Sequence, residues 1–420
     1  MKSPLNPEQE MSSRTIRVLE VAINASRAQE DGAGVQKTAA LGKSSAFWID
    51  ALCVPADDPH RTVCLQSMGD IFSSALHVVA VLGNQCSAAV RNAVKNEEIA
   101  PDDLLVLEQE DWISRAWTYQ EAVNSRRLSF VAEGERSEMV SGHDFLNAVM
   151  IAIDKYKSQN GLDDDAWEKR SGRLRSLERL LADYRISDYA TRSAYQVMSV
   201  MDERFAERPE DHFYAMVGSI AASERVDGDE DLTPSEYFMR VCERKADFSF
   251  IYSTAPRDDT VGRPWRPTGG RFPTVLPNLI TFGSSERGIV HATHLSLENM
   301  YRLQPGPIGS AGLKSVRWFA RASDSCTSSE DVALRTLERL RTLGFGGTGE
   351  YLEFETGFFF PQSASDLSDG VFAVVSSDIH WVTGGPGLLL RTGSSGIHEF
   401  CDTGAFVGKR PKSGEEINLG

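Results

Sequence analysis

The stretch FWIDALCVPADD, residues 47–58, decides the fold predicted for the N-terminal part of this 420-residue chain. A short apolar run, Ala46–Ile49, leads straight into the carboxylate of Asp50, which is typical of a buried parallel strand that ends at a sheet edge. A helix is expected after Asp58, and it leads into a second apolar run, LHVVAVLG, at residues 76–83. Strand, helix and strand predict a parallel βαβ unit with Asp50 at the edge where ligands bind.

Composition indicates a globular protein whose surface disfavours nucleic acid and anionic membranes. The chain has 41% hydrophobic residues, and 44 basic against 60 acidic residues give a net charge of -16. Its six cysteines form no CxxC pair, and no stretch has the length of a membrane span, so we expect reduced thiols and a cytoplasmic protein. The expected partner is a small-molecule ligand, with a homo-oligomer left open and no metal or cofactor required.

Proline and glycine divide the chain beyond the first unit. We predict an α/β domain over residues 1–140, a helical region over 141–262 and a β-rich region over 263–420, with a boundary in the proline- and glycine-rich stretch 254–273. GFGGTG, residues 344–349, follows a predicted helix and precedes a predicted strand, so it is a helix stop and not a dinucleotide loop. HATH, residues 291–294, has too few ligands nearby for a metal site.

The sharpest local pattern is SRAWTYQE, residues 114–121. Ser114, Trp117 and Glu121 are three and then four residues apart, which on one helix would align them along one face. A carboxylate held against an indole in a partly dry cleft suits acid-base work or the stabilisation of a developing cation. The alternative is an ordinary helix with a buried tryptophan and a solvated glutamate.

Asp50 and Cys53 form the second candidate group. Asp50 either acts at the sheet edge or only orders the next turn, and Cys53 is either a nucleophile or a structural thiol. The catalytic candidates are therefore Glu121 and Asp50. The residues expected to line their cleft are Trp117, Ser114, Trp48, Cys53 and Arg115.

Three blocks in order resemble the fungal heterokaryon incompatibility (HET) domain family. FWIDALC followed by DD is similar to the motif W-I-D-A-I/L-C-I-N-Q-x-D, and DWISRAWTYQE is similar to the block W-F-x-R-x-W-x-x-Q-E. RFAERPEDHFYAMVGSI, residues 204–220, is similar to a segment that follows in many such proteins. The family's first motif, Y-x-x-L-S-Y-x-W-G, would precede Thr15 and is not found, and CINQ is here CVPA.

The resemblance implies a distantly TIR-like, flavodoxin-like parallel sheet, in an α/β fold with a helical middle and a β-rich C-terminal part. Some TIR domains cleave NAD with the glutamate of an S-x-x-W-C-x-x-E motif, and Ser114, Trp117 and Glu121 match that spacing, with Thr118 in the cysteine's place. The implied function is an effector of nonself recognition and cell death with an NAD-cleaving cleft. Two alternatives stay open: a repurposed cyclase of secondary metabolism, of the Diels-Alder type, and a non-catalytic scaffold.

Two structural expectations follow from the resemblance. Loss of the first motif would remove a central strand, so a later segment, such as the strands between Gly370 and Val382, or a partner chain should fill the gap, unless the strand order differs. The side chains of Asp50, Trp117 and Glu121 should converge in one cleft. Aromatic residues from 358–360 or Trp381 are candidates to close it.

Overall fold

The computed structural model describes most of the chain. It covers residues 11–32, 46–56, 60–95, 98–134, 138–170, 172–186, 189, 191–220, 228–258, 260, 262–277, 279, 281–283, 285–321, 328–363, 367, 370–410 and 414–420.

Helices and strands alternate in the first part of the chain, helices follow in the middle, and strands dominate the end. The helices are α1 (Ser13–Gly32), α2 (Asp50–Cys53), α3 (His60–Gln66), α4 (Met68–Ser74), α5 (Ser87–Val94), α6 (Pro101–Glu108), α7 (Asp111–Ser114), α8 (Ala116–Val123), α9 (Gly142–Gln159), α10 (Asp164–Lys169), α11 (Arg173–Ile186), α12 (Ala194–Met201), α13 (Pro209–Ser219), α14 (Pro234–Arg244), α15 (Ser310–Ala320) and α16 (Ser329–Thr342). The strands are β1 (Val78–Leu82), β2 (Leu128–Ala132), β3 (Val140–Ser141), β4 (Gly288–Val290), β5 (Leu295–Arg302), β6 (Leu352–Phe354), β7 (Gly357–Pro361), β8 (Val371–Ser376), β9 (Gly385–Arg391), β10 (Ile397–Gly408) and β11 (Glu415–Leu419). The predicted fold class, α/β with a helical middle and a β-rich C-terminal part, is confirmed.

The chain forms two compact units. The first comprises residues 1–163, 172–189 and 226–231, and the second comprises residues 164–171, 190–225 and 232–420. The predicted three-part division of the chain stays a prediction, because compactness alone does not test it.

The sheet of the first unit has the order β1-β2-β3 in the part of the chain that the structure describes. β1 and β2 are parallel, with Ala80 opposite Phe130, and β3 joins β2 in the antiparallel direction. One face packs on α1, where Val79, Val81 and Val131 meet Val21 and Ala25. On the other face Phe130 packs against Trp112 of α7 and Phe145 of α9. The parallel pair is thus covered by helices on both faces, as such pairs require.

The prediction of a strand at residues 47–50 is wrong. Residues 46–49 form no strand, and Asp50 begins the short helix α2. The apolar run is not buried as a central strand would be: Phe47 is 43% exposed, and Trp48 is partly exposed while its ring meets the edge of Phe72 at 5.5 Å. The predicted pairing of residues 47–50 with 76–82 is therefore absent from the described residues, and the parallel crossover runs from β1 through α5–α8 to β2.

The segment proposed to fill a gap in the N-terminal sheet lies elsewhere. β8 pairs with β5 on one side and β9 on the other, within the sheet of the second unit. The expectation that strands between Gly370 and Val382 complete the first sheet is therefore wrong, since both of their edges are already used.

The sheet of the second unit closes on itself. β5, β8, β9, β10 and β11 pair in succession, and β11 pairs with both β5 and β10. All of these pairs are antiparallel except β10 with β11, and β7 and β6 extend the sheet from β10. α15 packs on β7 and β10 and, with α16, covers Phe358 and Phe360. α16 ends before Gly344, whose φ of 95° is the left-handed conformation of a helix stop, so this prediction for GFGGTG is confirmed.

Candidate functional site

A break in the helix divides the SRAWTYQE block. α7 ends at Ser114, Arg115 is extended with φ -73° and ψ 141°, and α8 begins at Ala116. The Thr118 hydroxyl donates towards the carbonyl oxygens of Trp112 (2.5 Å) and Arg115 (2.8 Å), which stabilises the break. The prediction that Ser114 shares a helix face with Trp117 and Glu121 is therefore wrong, and only Trp117 and Glu121, four residues apart on α8, do so.

Glu121 is held by a tryptophan that the sequence analysis did not select. The indole Nε1 of Trp112 donates to Glu121 Oε2 at 3.0 Å, and the Trp112 ring meets Phe130 of β2 edge-on at 5.1 Å. The carboxylate is partly buried, so it keeps access to solvent while one oxygen is fixed to the sheet core. The predicted pairing of the Glu121 carboxylate with the Trp117 indole stays a prediction, and the indole that donates to Glu121 is that of Trp112.

The inward face of α8 is anchored to α11. Tyr119 is fully buried, and its hydroxyl donates to Asp183 Oδ2 at 2.8 Å. Gln120 is also fully buried, and neither atom of its amide has a hydrogen-bond partner in the described part of the chain. An unpaired amide of this kind costs about 1–3 kcal/mol, which makes Gln120 an unusual residue for a purely structural helix face.

Asp50 lies on the surface at the start of α2. Its Oδ1 accepts a hydrogen bond from the N–H of Ala51 at 2.7 Å, and α2 has no buried residue. Among the described residues the Asp50 side chain makes only this bond, which fits the alternative in which it orders the turn. The expected convergence of Asp50 with Glu121 and Trp117 stays a prediction.

The other predicted cleft residues differ in their exposure. Ser114 is buried, Arg115 is exposed, and Trp48 and Trp117 are partly buried. Cys53 is also partly buried, and its carbonyl oxygen accepts a hydrogen bond from the Cys64 thiol at 3.8 Å. This contact is typical of a structural role for the Cys53 segment.

The carboxyl edge of β1 holds a carboxylate that the sequence analysis missed. Glu110 is 3% exposed, and its Oε2 accepts hydrogen bonds from the Gly83 N–H (3.0 Å), the Gln85 amide (3.1 Å) and the Cys86 thiol (3.5 Å). Burial, with the neighbouring Glu110 carboxylate as the second cause, raises the pKa of the Cys86 thiol to about 12. At the sheet edge where Asp50 was expected, the backbone is therefore held by Glu110, which lies 27 residues after Gly83 in the chain.

A second carboxylate follows β2 at the same edge. Glu133 is largely buried, and its carboxylate pairs with Arg14 at 3.6 Å and with Arg17 at 3.9 Å, both on α1. These long, mostly exposed ion pairs contribute little stability, but they place two guanidinium groups beside the edge.

Neither metal ligation nor closure by the predicted aromatic residues is supported. The described residues hold no group of three or more histidine, cysteine, aspartate or glutamate side chains able to bind a metal ion. His291 and His294 stack on each other, with ring centroids 4.4 Å apart. Phe358, Phe360 and Trp381 lie in a hydrophobic core of the second unit, and Phe359 lies in another; their closure of a cleft stays a prediction.

The comparisons with known proteins point to one family. Residues 3–121 match the model of the family described as heterokaryon incompatibility protein (HET). No curated protein and no solved structure gives a significant match. In the part of the chain that the structure describes, no helix has both the length and the apolar character needed to cross a membrane.

The matched segment contains β1, the edge carboxylate Glu110, the donor Trp112 and, at its last position, Glu121. Its residues 47–53 and 112–121 belong to two of the three blocks that carried the resemblance, and the third block, residues 204–220, lies outside the matched segment. Residues 3–121 of this chain are therefore similar to the heterokaryon incompatibility (HET) family.

Proposed function

We propose that this protein is a cytoplasmic effector of fungal nonself recognition whose HET segment cleaves NAD, with Glu121 as the catalytic carboxylate. The observation that carries the proposal is the hydrogen bond of 3.0 Å from Trp112 to Glu121, which fixes a carboxylate that is still partly exposed. A fixed carboxylate can stabilise positive charge without first reorganising, which is the main source of electrostatic catalysis.

In the proposed reaction, the bond between the ribose C1′ and the nicotinamide nitrogen breaks, and the electron pair leaves with nicotinamide. Positive charge develops on the ribose, and the negative charge of the Glu121 carboxylate stabilises it. Water then adds to C1′ and loses a proton, so that the products are ADP-ribose, nicotinamide and one proton. Trp117, on the same face of α8, offers a surface for the departing aromatic ring. NAD is the substrate, and no further cofactor is required.

The test is NAD turnover by the purified full chain, measured as nicotinamide release. Glu121→Gln removes the charge and keeps the size of the side chain, so we expect loss of turnover by a factor of about 100 or more with an almost unchanged melting temperature. Asp154→Asn on the exposed face of α9 is the matched control and should leave turnover unchanged. Absence of turnover in the wild type at micromolar concentration, or full activity of Glu121→Gln, would refute the proposal.

The other two functions considered for this chain receive less support. A cyclase for a hydrophobic intermediate needs a deep apolar cleft, and the aromatic residues expected to close the cleft are buried in hydrophobic cores of the second unit. A scaffold role becomes the better explanation if the wild type neither turns over nor binds NAD. A homo-oligomer, which the sequence left open, is compatible with the enzyme and with the scaffold.

A further inference from the structure

A glutamate carboxyl group and a tyrosine phenol meet in the interior of the second unit, and the proposed reaction uses neither of them. Tyr252 and Glu286 are both fully buried, and the Tyr252 hydroxyl donates to Glu286 Oε2 at 2.7 Å. Tyr252 ends the short 3-10 turn Ser249–Tyr252, and Glu286 lies just before β4. The pair therefore joins a turn to the strand segment that enters the closed sheet.

The surroundings of Glu286 give a negative charge little compensation. Its Oε1 meets no donor at hydrogen-bonding geometry among the described residues. The nearby Ser376 hydroxyl accepts hydrogen bonds from the N–H groups of Asp378 (3.2 Å) and Ile379 (2.8 Å), and its own proton is the remaining donor that favours an ionised Glu286. On the far side of Tyr252 is the sulfur of Met300, 3.6 Å from the hydroxyl. Burying an ionised carboxylate in such a site has a high free-energy cost, whereas burying the neutral carboxylic acid costs far less.

The titratable groups around Glu286 are acids or phenols. They come from the turn, from the segment before it and from the end of β8: Tyr252, Asp247 and Asp378. Asp247 is itself buried and accepts hydrogen bonds from the N–H groups of Ala194 (2.7 Å) and Ser249 (3.0 Å). Lys245 acts on Asp247 from the end of α14, and it is not among the groups that act directly on Glu286. Burial and the nearby acidic groups therefore oppose ionisation of Glu286, while the hydroxyl groups of Ser376 and Tyr252 favour it.

We propose that the Tyr252–Glu286 pair is a proton-operated latch of the second unit, which holds the turn Ser249–Tyr252 on the sheet while Glu286 is protonated and loosens it when the proton is lost. The backbone supports this geometry. The Phe248 N–H donates to the Glu286 carbonyl at 2.7 Å, and Asp247 forms an antiparallel bridge with Arg287. Movement of the Glu286 side chain towards water would therefore pull directly on the residues that start the turn. This latch is independent of the proposed reaction with NAD.

The direction of the pH effect follows from the raised pKa of Glu286. Burial raises the pKa of Glu286 from 4.5 to about 8, against the opposing hydrogen bonds from Ser376 and Tyr252. Because the pKa is higher in the folded chain than in the unfolded chain, the stabilising contribution is complete below pH 4.5 and is lost as the pH rises to about 8. Over this range the opening equilibrium should shift by a factor on the order of a thousand.

The experiment is hydrogen exchange of the full chain at several values between pH 5 and pH 9, corrected for the intrinsic pH dependence of exchange. Protection of residues 247–253 and 285–302 should fall with pH in the wild type and stay nearly constant in Glu286→Gln, whose neutral amide still accepts from Tyr252. Glu298→Gln, at an exposed carboxylate on β5, is the matched control and should follow the wild type. Parallel pH profiles for wild type and Glu286→Gln would overturn the latch.

A second variant keeps the test decisive if Glu286→Gln does not fold. Tyr252→Phe removes a hydrogen bond that favours the ionised carboxylate, so the pH midpoint of opening should move upward. Infrared difference spectra between the wild type and Tyr252→Phe should show a protonated carboxyl band at pH 6 that is shifted between the two proteins. An unmoved midpoint, or the absence of that band in the wild type, counts against the proposal.

Discussion

Removal of the Glu110 carboxylate should destabilise the first unit at the carboxyl edge of β1. One oxygen of Glu110 accepts three hydrogen bonds, and the donor at Gly83 is a buried backbone N–H that follows the strand directly. In Glu110→Ala this N–H loses its only acceptor in the described structure, which alone costs about 1–3 kcal/mol. The cavity left by the side chain adds to this, so we expect a loss of about 2–4 kcal/mol in the free energy of unfolding.

Two further variants separate the charge of Glu110 from its shape. Glu110→Gln keeps an acceptor for Gly83 but replaces charge-assisted bonds by neutral ones, so its expected cost is about 1–2 kcal/mol. Gln85→Ala removes a donor whose side chain is exposed, and it should change stability by less than about 0.5 kcal/mol. The assay is urea unfolding followed by tryptophan fluorescence and by circular dichroism, because the two units need not unfold together. If Glu110→Ala is as stable as the wild type, or Gln85→Ala is as costly, the reasoning is refuted.

Trp112→Phe should keep the ring contact with Phe130 while removing the N–H that holds Glu121, so NAD turnover should fall by a factor of about 10 or more while stability falls by about 1 kcal/mol. Full turnover in a folded Trp112→Phe protein would show that the hydrogen bond does not position the carboxylate. The Cys86 thiol, fully buried and with a pKa of about 12, should resist alkylation at pH 8 in the native chain while the partly exposed Cys401 is modified. Peptide mass spectrometry before and after unfolding in urea measures this difference, and equal labelling of both thiols in the native chain would contradict it.

The strands β1 and β2 could be predicted because both are short, mostly apolar segments that are followed within two residues by a glycine. The run at residues 46–49 is equally apolar, yet it forms no strand, because a strand needs a neighbouring strand to pair with and a local pattern does not reveal one. The Trp48 ring packs against Phe72 and is partly buried there without being part of a sheet. Short apolar runs therefore predict burial better than they predict the partner that provides it.

The candidate site shows the same limit at the level of single contacts. The resemblance gave a role to Glu121 but none to Trp112, although both lie in the same block. The contact between them depends on the extended residue Arg115, which interrupts the helix without a proline or glycine to signal the break. The bond from Gly83 to Glu110 spans 27 residues and depends on the whole crossover from β1. Neither contact has a local signal in the sequence.

The helix break gives a physical reason for the residue types that separate Trp112 from Glu121. On one continuous helix, residues nine apart would be about 13 Å apart along the axis, too far for an indole N–H to reach a carboxylate. The extended backbone at Arg115 turns the chain, and the Thr118 hydroxyl stabilises that turn through the carbonyl oxygens on both sides of it. A cysteine in place of Thr118 would be a much weaker donor for those carbonyls. The Thr118 hydroxyl therefore helps to hold the break that brings Trp112 to Glu121.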